Sequence, residues 1–183
     1  MQWPIKPHFA VEPDKPVMPD SNPNLPFQKS LVFLATLGPL GHLRPAPGTI
    51  GSLLAVVIGY LIASFGAGTL LVATIIVTIL GIGAADAYCR ITDQKDAPEV
   101  IIDEVAGQWI VLIILPLDPL WFAAGFLLFR FFDITKLGPV GMVERLSGGV
   151  GVMADDIVAG LLAAFCLFCA ASLMGKSALL NFL

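Results

Sequence analysis

Long apolar runs, separated by short polar segments, set the pattern of this sequence. From Pro45 to Ala85 it contains no Asp, Glu, Lys or Arg, a run of 41 residues. One helix that crosses a bilayer needs about 20 apolar residues, so this run is long enough to cross and return. We therefore predict a helical hairpin formed by residues 50–64 and 69–85, and we expect Thr49 to cap the first of these helices.

Two further apolar segments, residues 99–115 and 120–136, flank a Pro-Leu-Asp-Pro turn and predict a second hairpin. A last helix is predicted at residues 156–175, of which the 19 from Ile157 carry no charge. Residues 30–43 are apolar but too short to span, so we expect them along the interface or packed on the bundle. The predicted fold is all-α: a polytopic membrane helical bundle of about five hydrophobic helices plus a short interfacial helix.

The N-terminal segment differs in composition from the rest of the chain. Residues 1–29 hold seven prolines and few large apolar residues, and they lack the apolar run of a secretory signal. This composition is typical of an extended or flexible tail. We therefore divide the chain into a proline-rich flexible tail, residues 1–29, and a helical membrane domain, residues 30–183.

Composition and charge support a membrane protein. Hydrophobic residues make up 57% of the chain and the mean hydropathy is +0.87, whereas soluble domains are about 45–50% apolar. No basic patch is interleaved with aromatic residues, which argues against nucleic-acid binding. If the tail and the polar loops predicted at 86–98 and 137–155 share one side, nine of the ten Lys and Arg residues lie there, with Lys176 opposite. The positive-inside rule then makes that side cytoplasmic.

Helix lengths are expected to bring the acidic residues together. Asp103 and Asp133 are 30 residues apart, and the turn of the second hairpin lies midway. Each is about 15 residues, or ~22 Å, from that turn, so in an antiparallel hairpin both return to the same depth. Asp155 and Asp156 are predicted to begin the last helix, which enters from the same side. With Glu104, five carboxylates are expected at one rim of the bundle.

Each of these acids also has a simpler structural explanation. Asp155 could cap its helix and complement the helix dipole, and Asp133 could pair with Arg130 at the i, i+3 spacing. Asp103 and Glu104 could complement the dipole while they face water. Together, however, five acids at one depth exceed what capping requires, and they would repel one another unless a cation lay among them.

The five carboxylates are therefore the predicted metal ligands and catalytic groups. Carboxylate oxygens prefer hard ions, so Mg²⁺, or alternatively Mn²⁺, is the expected cofactor. The chain has only two histidines, which argues against a zinc site built on histidine. Glu104 is the candidate general base for an attacking water.

Several other residues at the same rim are suited to binding phosphate. Arg130 and Lys136 are the main candidates, and Arg44 is a weaker one. Thr49 and Ser52 lie in a glycine-rich segment at the predicted start of a helix, where backbone N–H groups can bind anions. A metal, cations and a positioned nucleophile are what phosphoryl transfer requires. The sequence therefore predicts a metal-dependent phosphatase that acts on a phosphate ester of a lipid.

The motifs that carry this chemistry resemble one family. They are PGTIGSL at 47–53, EVIIDEVAGQW at 99–109, FRFFDITK at 129–136 and GGVGVMADDIVAG at 148–160. Residues 30–175 are similar, in this order, to phosphatidylglycerophosphatase A, a family of bacterial membrane enzymes that convert phosphatidylglycerophosphate to phosphatidylglycerol. The resemblance implies Mg²⁺ dependence, the five acids as the active site, and a multi-pass location in the inner membrane with the site facing the cytoplasm.

The sequence departs from the family pattern at two places. Leu137 follows Lys136 where the family usually has proline, and Glu144 stands where the family has aspartate before a glycine loop that is about one residue longer. Glutamate can also bind a cation, but it reaches one methylene further. Substrate preference and the position of this loop are therefore open.

Two other classes of function remain as alternatives. An ion or proton transporter would also use carboxylates near membrane helices, although acids at the rim and the lack of inverted repeats argue against it. A structural subunit would use the acids only as helix caps. The oligomeric state is not determined by the sequence.

Overall fold

The computed structural model describes residues 26–94, 97–143 and 146–173, and within these ranges it contains helices and no strand. The elements in chain order are α1 (Pro26–Thr36), a short 3-10 helix (Leu40–His42), α2 (Pro47–Ala63), α3 (Ala67–Thr92), α4 (Ile102–Ile113), α5 (Pro119–Thr135), α6 (Pro139–Val143) and α7 (Gly148–Leu173). The predicted all-α fold is confirmed. Of the predicted tail, residues 1–25 lie outside the described residues, and residues 26–29 begin α1.

Helix α4 lies at the centre of the bundle. Nine of its 12 residues are buried, and it packs against α2, α3, α5 and α7. The indole nitrogen of Trp109 donates a hydrogen bond of 2.8 Å to the carbonyl oxygen of Ala55, which joins α4 to α2. Helix α1 packs mainly on α3, and the N–H of Ile101 donates to its Ala35 carbonyl. The predicted short N-terminal helix is therefore packed on the bundle.

Helix α7 packs closely on its neighbours through glycine. A Cβ atom on Gly160 would overlap the carbonyl oxygen of Gly107 in α4, and one on Gly149 would overlap the carbonyl oxygen of Ile82 in α3. The prediction that residues 137–155 form a loop is therefore wrong, because the glycines from Gly148 onward lie inside a helix. Small residues let helix backbones approach, and this packing outweighs the low helix propensity of glycine.

The observed start of α7 also changes the interpretation of its acids. Asp155 and Asp156 lie about two turns into the helix rather than at its first turn. Capping therefore does not explain Asp155. Thr49 is likewise not a cap: α2 begins earlier, at Pro47, and Ala46 occupies the cap position. Proline favours the first helical position because its fixed φ suits a helix and its missing N–H is not needed there.

Two left-handed residues end the long helices on the acidic side. Asp93 (φ 55°) caps α3, and Lys136 (φ 50°) caps α5. The predicted loop at 86–98 is wrong in its first half, since α3 continues to Thr92. Its charges belong to a helix surface, where Arg90 forms an i, i+4 ion pair with Asp86.

Two helices are long and apolar enough to cross a membrane among the residues that the structure describes. They are α3 and α7, each of 26 residues, whereas α2 and α5 have 17 and α4 has 12. The prediction of about five hydrophobic membrane helices is therefore not confirmed. Many large apolar side chains on α2, α3, α5 and α7 are nevertheless exposed on the outside of the bundle.

Candidate active site

Four helices direct polar side chains into one buried space. The N-terminal ends of α2 and α4, the C-terminal end of α5 and the part of α7 about two turns from its start meet there, because α4 and α5 are antiparallel and return to the same level. Four of the predicted acids are buried, with side chains shielded by these helices: Asp103, Asp133, Asp155 and Asp156. Five carboxylates predicted from distant parts of the sequence are thus brought together, with Glu104 as the fifth.

Three of these acids form a compact oxygen cluster. Asp103, Glu104 and Asp156 each offer one carboxylate oxygen, and these oxygens lie within 4.8 Å of one another. Burial raises the pKa of Asp103 well above its usual value, and the charge of Glu104 raises it further. Burial, and then the charge of Asp156, raise the pKa of Glu104 to about 8. Carboxylates this close remain ionised at neutral pH only with a cation among them, and their oxygens suit Mg²⁺.

The other two acids pair with the cations of α5. Arg130 Nη1 lies 2.5 Å from Asp133 Oδ2, and Lys136 forms an ion pair with Asp155 and a second one, of 3.4 Å, with Asp133. Burial opposes the charged form of Lys136, but the hydrogen bond and charge of Asp155 outweigh it and raise the pKa of Lys136. The i, i+3 pairing expected from sequence is therefore present, and it holds both cations beside the oxygen cluster.

Helix α2 completes the site from the opposite side. The buried hydroxyl of Ser52 donates to the Gly48 carbonyl (2.8 Å) and accepts from Arg130 Nη1 (3.4 Å), while Thr49 Oγ1 accepts from Arg130 Nη2 (3.5 Å). A Cβ atom on Gly48 would overlap Glu104 Oε1 and would lie 3.3 Å from Arg130 Nη1. Glycine at this position lets the N-terminus of α2 approach the acids, which places an anion-binding helix end beside Arg130.

Arg44 is the predicted phosphate ligand that the structure places elsewhere. It lines a separate cavity of about 310 Å³ together with His42, Pro98 and Glu99. Within the described ranges no hydrogen bond or ion pair joins Arg44 to the acidic cluster. It lies there although it precedes the first residue of α2, Pro47, by only three positions. Glu144, at which the sequence departs from the family, lies outside the described residues.

Two positions next to the acids were missed by the sequence analysis. Gly48 was treated only as part of a glycine-rich loop, whereas its missing side chain is what admits Glu104. Gln108 was not considered, although its side chain is fully buried. The signal was present in the spacing, because Gln108 follows Glu104 by four residues and shares its helix face.

Comparisons with known proteins point to one family of lipid phosphatases. The family described as Phosphatidylglycerophosphatase A matches residues 33–171. A Bacteroides thetaiotaomicron protein named Putative phosphatidylinositol-3-phosphatase is 40% identical over 124 residues, 63% of this chain and 77% of that protein. Phosphatidylglycerophosphatase A of Haemophilus influenzae is 36% identical over 131 residues, 70% of this chain and 80% of that protein.

Phosphatidylglycerophosphatase A of Escherichia coli is 35% identical over 124 residues, 67% of this chain and 72% of that protein. No solved structure matches the chain. The matched residues 33–171 include every helix that contributes a side chain to the acidic cluster.

Proposed function

The chain belongs to the phosphatidylglycerophosphatase A family and is a phosphoric monoester hydrolase, and from this premise we propose that it converts phosphatidylglycerophosphate to phosphatidylglycerol and inorganic phosphate. The observation that carries the proposal is the oxygen cluster of Asp103, Glu104 and Asp156 beside Arg130 and Lys136. Oxygen ligands for a cation next to two positive side chains are the parts that a phosphate ester needs for hydrolysis.

We propose Mg²⁺ as the cofactor, held by the carboxylates of Asp103, Glu104 and Asp156. The buried, all-oxygen donor set supports this choice. When bound, Mg²⁺ supplies neutralisation of the phosphate oxygens. Asp133 and Asp155, also predicted as ligands, hold Arg130 and Lys136 at the edge of the oxygen cluster. Their carboxylates add to the negative charge of the site.

The protein side chains then have distinct roles in the proposed reaction. Arg130 and Lys136 bind the terminal phosphate, while Thr49 and Ser52 orient the Arg130 guanidinium. A water oxygen forms the new bond to phosphorus as the ester bond to the glycerol oxygen breaks. Glu104 accepts the proton of the water and returns it to the leaving alkoxide.

We further propose that α3 and α7 cross the bacterial inner membrane and that the shorter α2 and α5 are embedded beside them, with α4 enclosed by the bundle. The exposed apolar side chains on the outer helices support this arrangement. The acidic site faces the cytoplasm. This orientation is supported by the positive-inside rule, because nine of the ten Lys and Arg residues are predicted on the side of the acids. A lipid substrate can reach such a site from within the leaflet.

A phosphate-release assay on the purified full chain tests this function. The substrates are phosphatidylglycerophosphate, phosphatidylinositol 3-phosphate and phosphatidate in mixed micelles, each with Mg²⁺ or with EDTA. We expect the fastest release from phosphatidylglycerophosphate, loss of activity in EDTA and recovery with excess Mg²⁺. Faster release from phosphatidylinositol 3-phosphate would contradict the proposed substrate and favour the one in the name of the Bacteroides relative. Ion flux in liposomes without phosphate release from any lipid would favour a transporter.

A further inference from the structure

A buried glutamine lies directly behind the acidic cluster. Gln108 has 0% exposure in the centre of α4, and neither atom of its amide has a hydrogen-bond partner among the residues that the structure describes. Buried polar groups in proteins are almost always bonded to protein or to ordered water. An apolar residue at this interior position would need no hydrogen-bond partner. The amide of Gln108 does need one, so we expect a ligand beside it.

Two more buried polar atoms without partners in the described ranges belong to the same region. They are Glu104 Oε2 and Arg130 Nε. Gln108 follows Glu104 by one helical turn, and helical side chains tilt toward the N-terminus, so the amide lies over the turn that carries Glu104. Arg130 Nη1 lies 3.8 Å from Glu104 Oε1, which brings the guanidinium to the same space.

The neighbouring polar groups toward α2 already have partners. The Ser52 hydroxyl donates to the Gly48 carbonyl, and the Trp109 indole donates to the Ala55 carbonyl. The α5 side next to Gly107 is closed by the ring of Phe129. Gln108, Glu104 and Arg130 thus leave two donor atoms and two acceptor atoms without partners in the described ranges. The donors are Gln108 Nε2 and Arg130 Nε, and the acceptors are Gln108 Oε1 and Glu104 Oε2.

We propose that Gln108 binds one or two internal water molecules that bridge its amide to Glu104 Oε2 and Arg130 Nε. Water is the ligand that fits, because it donates and accepts at once, and buried waters typically make about three hydrogen bonds to such groups. Gln108 is then a positioning residue: through this water it holds the orientation of Glu104 and Arg130, which face the substrate phosphate. Only the kinetic test of this inference rests on the proposed phosphatase function.

Three variants test the kinetic consequence. Gln108→Leu removes the amide at similar size, Gln108→Asn keeps an amide, and Thr74→Val removes a different buried hydroxyl, one bonded to Leu70 in α3. We expect Gln108→Leu to lower kcat on phosphatidylglycerophosphate by about tenfold to a hundredfold, the effect usual for residues that orient site ligands, with KM changed less than about twofold. Gln108→Asn should recover part of kcat, and Thr74→Val should leave it unchanged.

A kcat of Gln108→Leu within about twofold of the parent would overturn the positioning role. A high-resolution structure of the parent protein tests the water itself, and this test does not depend on activity or on the folding of a variant. Water density within hydrogen-bond distance of the Gln108 amide and Glu104 supports the proposal, whereas a direct bond between these side chains contradicts it. If the parent releases no phosphate from any lipid, the proposed function fails while the structural result still decides the water site.

Discussion

Arg130 is the residue that connects three helices at the site. Its guanidinium contacts Asp133 on its own helix, Glu104 on α4, and Thr49 and Ser52 on α2. A planar group with several fixed donors can make these contacts at once, whereas a lysine ammonium on a flexible stem cannot. The shape of the side chain therefore matters as well as its charge.

Arg130→Lys is expected to lower kcat/KM for phosphatidylglycerophosphate by about tenfold to a hundredfold, because the charge remains but the contacts to α2 are lost. Steady-state phosphate release measures this effect. The matched control is Arg90→Lys, since Arg90 is half-exposed at the C-terminal end of α3 and its ion pair among the described residues is with Asp86. Equal activity of the two variants would show that Arg130 contributes charge alone.

Asp156→Asn preserves shape but removes one charge from the oxygen cluster. We expect it to reduce kcat by at least about a hundredfold and to raise the Mg²⁺ concentration needed for half-maximal rate. Asp118→Asn is the control, because Asp118 caps α5 through Leu120 and Trp121 and asparagine caps equally well. Full turnover by Asp156→Asn would remove this residue from the site.

Spacing along one helix was enough to predict only part of these contacts. The Arg130–Asp133 pair follows from an i, i+3 spacing, and the common depth of Asp103 and Asp133 follows from helix length. The bond between Arg130 and Ser52 joins residues 78 positions apart. It depends on how α2 packs against α5, which no local pattern specifies.

At the level of elements, close approach of α2 to α4 depends on a glycine. Gly48→Ala would force a methyl group against Glu104 Oε1 and toward Arg130, so we expect kcat to fall by at least about tenfold through displacement of both groups. Gly68→Ala provides the control, because a Cβ atom there meets nothing within 4 Å. Phosphate release and thermal unfolding of both variants separate loss of activity from loss of fold. Parental activity in Gly48→Ala would mean that α2 does not need this proximity.

The apolar hairpins were predictable because each apolar run overlaps one helix of the structure. The helix boundaries were less predictable, and at α3 and α7 the reason is tertiary packing. Residues 148–155 contain three glycines, which indicate a loop by propensity, yet the close packing of Gly149 on α3 fixes this segment as helix. Asp86 and Arg90 give residues 86–92 a polar character because they lie on the outer face of α3, whereas Ala87, Tyr88 and Cys89 are buried.

For the whole molecule, orientation in the membrane is the prediction that can be tested in cells. In a variant with its native cysteines replaced, Phe65→Cys marks the turn between α2 and α3, and Leu137→Cys marks the end of α5 beside the acids; both positions are exposed. We expect a membrane-impermeant maleimide to label the first in intact bacteria and the second only after lysis. Labelling of Leu137→Cys in intact cells would reverse the orientation.

The number of spanning helices was the least predictable property. Apolar composition alone indicated five, but α4 has only 12 residues and is enclosed by its neighbours. Sequence patterns cannot distinguish a helix that is apolar because it contacts lipid from one that is apolar because it contacts other helices. The burial of α4 makes that distinction.

Lys136 combines a backbone role with a chemical one. It ends α5 in a left-handed conformation, which glycine or asparagine adopts more readily than lysine, and it supplies the ammonium that pairs with Asp155. Selection for heat resistance would favour glycine here, whereas selection for turnover would favour lysine. Lys136→Gly should therefore relax the turn but remove the ion pair with Asp155, so thermal stability and the proposed phosphate binding make opposite demands on this position.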